Sequence, residues 1–237
     1  MVYAPIMDVR SGRVHHVSAS TPLLEPFQSF DPWGAPPAAV APDALLERSI
    51  RDVAAFNRVP RNVRLSLSLE LSAHLLSDRS LPRRLSSILG EHKMEAGLLT
   101  VGVTQEALPD NTVRADSICA RVRSTGSRLA LLGFDAEHTS PARLANFPID
   151  SVHLDGSFLA TVDSDAKRLR CVRRLLQLAD GMGISVVAEG VERLSQYELL
   201  QSLGCRFAMG SLVGPGAPLS RAVATSPVGA PRTRIAA

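Results

Sequence analysis

The feature that most narrows what this chain can become is an alternation: short apolar runs recur between longer segments of helical period, the pattern of a parallel sheet covered by helices. Strands are expected at Arg64–Leu69, Leu98–Val103, Arg128–Phe134, Ser151–Leu154, Ser185–Ala188 and Arg206–Met209. Helices are expected over Asp43–Arg58, near Pro82–Gly90, over Asp110–Thr125, near Pro141–Asn146, over Asp163–Met182 and over Ser195–Leu203. Gly204 stands just past the last of these, where a residue of positive φ ends a helix well. Ahead of the alternation, Tyr3–Asp8 and Arg13–Ala19 read as a hairpin across Ser11-Gly12.

Between hairpin and first helix, the six prolines from Pro22 to Pro42 exclude regular structure and predict a loop. From about Ala222 the chain has little to bury and is expected to fray. The domain is therefore placed at residues 1–221, with the proline-rich loop at 22–42 and a tail at 222–237. A length of 237 residues, 45% of them hydrophobic, suffices for one sizeable core. Eight or so strand–helix units in one domain predict the α/β class and a closed (β/α) TIM-like barrel, with a doubly wound open sheet as the competing reading. In a barrel, chemistry belongs at the C-terminal ends of the strands.

Charge says less. The 26 basic and 23 acidic residues are spread along the chain without a run of five or six like charges, so nucleic acid is not implied. Arg168, Arg170, Arg173 and Arg174 lie at helical spacing and read as a solvated face, with a phosphate or acidic-partner patch as the alternative. Cys119, Cys171 and Cys205 are odd in number and form no CxxC pair, which predicts reduced, mostly buried thiols. The N-terminus has no signal-peptide pattern and no window approaches 18 uninterrupted apolar residues, so a soluble, cytoplasmic protein without a membrane partner is expected.

The segment VVAEGVE, Val186–Glu192, followed by LLQSLGC at Leu199–Cys205, resembles the C-terminal signature of EAL-domain cyclic di-GMP phosphodiesterases. FPIDSVHLDGSF, Phe147–Phe158, resembles that family's Lys-Ile-Asp strand, and YAPIMDVRSGRV, Tyr3–Val14, its opening strand and turn. The resemblance implies a single EAL-type barrel. Active relatives hold two metal ions with carboxylates and an amide, and these activate a water that attacks a phosphodiester in line.

Carried over position by position, the family's motif glutamate falls at Ser18, the asparagine ligand at Glu70, and the next glutamate at Gly102, with its companion at Gln105. The paired aspartates fall at Leu132 and Gly133, the lysine at His153, and a late glutamine at Met209. Of the eight site positions, Glu189 alone keeps the family residue. No catalytic residue, no metal and no cofactor is therefore expected. The retained Glu189 and Asp155 are read as capping or hydrogen-bonding groups at strand ends, and Gly190 and Glu192 as parts of the turn.

Three functions follow from the resemblance and its losses. The favoured one is a non-catalytic regulatory protein that contacts a regulatory protein partner in bacterial cyclic di-GMP-related signalling of motility, biofilm or virulence. The alternative is a sensor that binds cyclic di-GMP without cutting it. Against it, the family's dinucleotide contacts fall at Pro22, Ala4 and Met209, and only Arg143 and Arg193 offer substitutes, so such binding is not expected. A single metal on Glu70, His153 and Glu189 is a third reading, set against a histidine that is simply hydrogen-bonded, with Glu70 as the partner suggested. An active phosphodiesterase comes last. Phe27, Phe30 and Trp33 in the proline-rich loop are the partner-binding candidates, with the competing reading that they fold back to plug the pocket. Relatives pair through helices beside the active site, so a homodimer stays open.

Overall fold

The structure, a computed structural model, describes residues 1–20, 42–60, 64–104, 112–135, 144 and 147–224. Eight strands close into one barrel in chain order, which excludes the open sheet. Strands β1 (Val2–Asp8) and β2 (Arg13–Ser20) form the expected hairpin, followed by helix α1 (Pro42–Arg58) and β3 (Ser66–Glu70). Helices α2 (Ala73–Ser77) and α3 (Leu81–His92) lead to β4 (Leu99–Thr104), then α4 (Thr112–Arg123), β5 (Arg128–Phe134) and β6 (Ser151–Leu154). After α5 (Gly156–Leu159) and α6 (Ala166–Gly181) come β7 (Ser185–Ala188), α7 (Leu194–Ser202), β8 (Phe207–Ala208) and α8 (Leu219–Val223).

The barrel is mixed rather than wholly parallel: β1 runs antiparallel to both β2 and β8, while every other neighbouring pair is parallel. That hairpin turns at Gly12, whose φ of 65° lies in the left-handed region a glycine enters without steric cost.

Period-two alternation divides the strand residues between two environments. Leu67 and Leu69, Val101 and Val103, Leu129 and Leu131, Val152 and Leu154, and Val186 and Ala188 point outward into the large core under the helices. The inward set differs in kind. Ile6, Val187 and Phe207 form a small separate apolar cluster joined by Met209, and much of the remaining lining is Ser68, Thr100, Ser151, Ser185 and His153. Barrel interiors are usually filled by layers of bulky branched side chains, so this polar lining is a departure.

Caps explain where helices begin. Asp165 accepts from the amides of Lys167 (2.7 Å) and Arg168 (3.2 Å) at the start of α6. Gln196, 1% exposed, accepts from the amides of Glu192 and Arg193 and donates to Leu159 O at 3.0 Å, tying α7 to α5.

Several expectations need correction. Strand β3 begins at Ser66, and the short helices α2, α5 and α8 had no periodicity long enough to read. The boundary at 221 cuts through α8, whose Ala222 is buried, so the packed chain continues through Val223. Arg168 is half-buried rather than part of a solvated face: it donates to Ser157 O and Phe158 O and lies 5.5 Å from the Phe158 ring centroid. Of the helix expected at Pro141–Asn146, Leu144 alone is described, as helical. No helix among the described residues is long and apolar enough to cross a membrane.

Candidate functional site

The mouth at the C-terminal strand ends gathers the mapped positions. Ser18, half-buried on β2, pairs in register with Ala4 of β1 and Ser68 of β3. Glu70 ends β3 beside Gly102 of β4 and is exposed. Gly102 itself is buried, and the reason it is glycine is visible across the strand. A Cβ built there would meet Leu132 Cδ1 at 2.6 Å and Cγ at 3.0 Å, so a larger residue at 102 requires the Leu132 side chain to move.

Leu132 and Gly133 sit in a bulge. On β5 the pairing with β6 passes from Leu131 opposite Val152 to Phe134 opposite Leu154, three steps against two. Gly133 absorbs the extra residue with φ 63°. The pairing of β5 with β4 stays regular through Thr104 opposite Leu132, which sets Leu132 diagonally across from Gly102 on the same face of the sheet.

His153 on β6 is 3% exposed, and its Nδ1 lies 2.7 Å from Glu189 Oε1 at the end of β7. Glu189 itself is held by its backbone, whose amide donates to Leu154 O at 3.1 Å. The hydrogen-bonded histidine is thus real, but its partner is Glu189 rather than Glu70. Glu70 does not complete a trio with these two: no group of three or more His, Cys, Asp or Glu side chains arranged to hold a metal ion occurs among the described residues. Asp155 caps α5, accepting from the amide of Ser157 at 2.7 Å and from its hydroxyl. Met209 packs, half-buried, against the Ile6–Val187–Phe207 cluster.

Arg193, one of the substitute cations, is engaged elsewhere. It donates to Asp163 Oδ1 at 2.8 Å and Ala160 O at 2.7 Å, which also holds the Asp163 carboxyl below its usual range. Phe27, Phe30, Trp33, Pro22, Gln105 and Arg143 lie outside the described residues. The thiols form no disulfide; burial pushes Cys205 up to about 12 and Cys119 up to about 11, so both stay protonated at neutral pH.

Sequence reasoning missed two things. One is the contact between Gly102 and Leu132, which needs the register of β4 against β5 to be known. The other lies at the opposite end of the barrel, where His16, Arg128 and Arg206 approach a cavity inside the strands. Period two places His16 on the interior, but nothing along the chain says that the interior is hollow.

A closed barrel with a mouth of this layout defines the class as an α/β barrel protein of the EAL type. The EAL domain model matches residues 1–216, and the chain belongs to that family. It is 27% identical over 221 residues to the cyclic di-GMP phosphodiesterase PA2567 of Pseudomonas aeruginosa, covering 90% of this chain and 37% of that protein. It is likewise 27% identical over 169 residues to the cyclic di-GMP phosphodiesterase PdeR of Escherichia coli, covering 71% of this chain and 25% of that one. The chain therefore spans only about a quarter to a third of these relatives. In fold it matches the EAL domain of Xanthomonas citri FimX in complex with c-diGMP at a TM-score of 0.77 and 18% identity, covering 92% of this chain and 87% of that one.

Proposed function

We propose that this EAL domain is a non-catalytic regulatory module that acts in cyclic di-GMP-related signalling by contacting a protein partner. The observation that carries the reading is the Leu132 side chain lying where a residue larger than glycine at 102 would stand.

Two divalent cations a few ångströms apart repel strongly and are held together only by several anionic oxygen ligands. At this mouth the mapped ligand positions offer a hydroxyl at Ser18, no side chain at Gly102 or Gly133, and an apolar group at Leu132. Of the two carboxylates at mapped positions, Glu189 is bound to His153 and Glu70 stands exposed at the end of β3 where the family has an asparagine. This donor set does not fit a binuclear cation centre, and no hydrolytic step is derived through one. Against that, the scaffold is kept in detail: closed barrel, bulge, capped helices and the Glu189–Val191 turn. Fold without chemistry is what a binding module requires.

The test has two arms on the pure protein. Incubated with cyclic di-GMP and Mg²⁺ or Mn²⁺, it is expected to release no linear pGpG above the no-protein control. Release that disappears in Glu189→Gln would overturn the reading. In the second arm, native mass measurement and pulldown are expected to find a partner or self-association, and a strictly monomeric, partnerless chain would count against the interaction role. Binding of intact cyclic di-GMP by calorimetry, with no hydrolysis, would instead favour the sensor reading.

A further inference from the structure

The geometry points to a second binding site, at the opposite end of the barrel from the mouth, for a small tetrahedral oxyanion of the phosphate class. The site is a cavity of about 120 Å³ enclosed by the lower halves of the strands. It goes beyond the proposed function and does not depend on it, since of its polar lining residues only His153 reaches the mouth, where Glu189 holds it.

The cavity exists because the inward residues of several parallel strands near the barrel floor are small. Thr100 of β4, Ser151 of β6 and Ser185 of β7 line it with hydroxyls, where bulky branched side chains usually fill such a layer. An apolar void of this size stays dry and costs stability, whereas a polar one is occupied by water or by a ligand that satisfies its donors. The charge at its opening selects among ligands.

Arg128, first residue of β5, and Arg206, just before β8, stand at the cavity rim. Arg128 pairs with no carboxylate among the described residues. Arg206 is 67% exposed, lies over the Phe207 ring at 5.0 Å, and reaches Asp8 only at 3.8 Å. The one carboxylate in the lining, Asp150, is spent: its Oδ2 accepts from Arg123 at 2.9 Å and from the amide of Leu129 at 2.8 Å. What remains is two guanidinium forks above a set of hydroxyl donors, with His16 in the wall as a half-buried imidazole. Planar guanidinium matches the oxygens of phosphate or sulfate in pairs, and hydroxyls supply the remaining bonds. Chloride, a sphere with no such geometry, gains less.

The site is to be tested with inorganic phosphate against chloride at matched ionic strength, read by ³¹P line broadening and by thermal melting. Phosphate also stabilises proteins in general by exclusion from their surface, so the comparison is between wild type and Arg128→Gln, which share that background. Wild type is expected to show saturable broadening and a saturable rise in Tm. Losing one charge-assisted contact in Arg128→Gln is expected to weaken binding roughly tenfold. Ser185→Ala, which deletes one hydroxyl in place, is expected to weaken it less and serves if the arginine variant folds poorly. Glycerol phosphate as a second probe separates a free oxyanion, which binds alone, from a phosphomonoester whose tail extends through the opening. Equal effects of phosphate and chloride, or a phosphate effect unchanged in both variants, would overturn the proposal.

Discussion

At Gly102 and Leu132 the same atoms explain the fold and the proposed function. Because the side chain of 132 lies over position 102, the two are expected to couple energetically. Gly102→Ala is predicted to cost about 1–3 kcal/mol, the usual cost of overpacking, and appreciably less in a Leu132→Ala background. Urea titration of the four proteins in a double-mutant cycle measures this, and strict additivity would mean that the contact is absent in solution. His16 gives a pH prediction. Burial first, and the Arg128 cation next, hold its imidazole down to about 4 against an ordinary 6.5. The folded state then binds fewer protons than the unfolded one, so stability from this group is complete above about pH 6.5 and falls as the pH drops toward 4. The fall is about 3 kcal/mol at most. His16→Gln should flatten the stability–pH curve between those values relative to wild type, and parallel curves would refute the assignment.

The turn after β7 shows how an element fixes a site. Gly190 takes φ 66°, and a Cβ there would stand 2.8 Å from the Cα of Gly156 at the start of α5. The two glycines let the β7 turn and α5 touch by their backbones, and that contact holds Glu189 within reach of His153. Gly190→Ala is predicted to cost about 2–4 kcal/mol from backbone strain plus collision, measurable by chemical denaturation. A change below about 0.5 kcal/mol, the range of ordinary surface substitutions, would show the turn to be slack. Legibility in the sequence varies by element for a related reason. Arg128–Phe134 is readable because Leu129–Leu132 is a continuous apolar run, and Ser151–Leu154 because Val152 and Leu154 alternate with polar residues at period two. Helices α2 and α5, at five and four residues, are shorter than two helical turns and carry no period to read; their caps, Ser72 and Asp155, are the only local signals.

Closure of the whole barrel depends on β8, which meets each neighbour over two paired positions. Strand β1 meets β8 through Met7–Ala208 and Asp8–Phe207 only, whereas β1 and β2 pair over seven positions. The chain past the seam supplies a strap: Tyr3 and Ala217 exchange backbone bonds of 2.8 and 3.0 Å, and α8 buries Ala222. Ending the chain at Gly216, where the family match stops, removes both. At about 1 kcal/mol per net hydrogen bond plus the lost burial, Tm should fall by roughly 5–10 °C, read by calorimetry. An unchanged Tm would show that the strap contributes nothing to closure.

The alternation of apolar runs and helical periods was enough to determine an α/β domain of strand–helix units, because each strand's burial is written in its own residues, whereas closure into a barrel rather than an open sheet was decided by the tertiary structure. The motif around Glu189 was enough to determine the family. Neither could disclose that Leu132 lies on Gly102, that His153 turns to Glu189 rather than Glu70, or that serines from distant strands enclose a cavity beneath two arginines. Those facts belong to the strand register and to the closing of the sheet. They bring together residues 30 or more positions apart, and distance along a chain carries no record of which side chains will meet across a barrel.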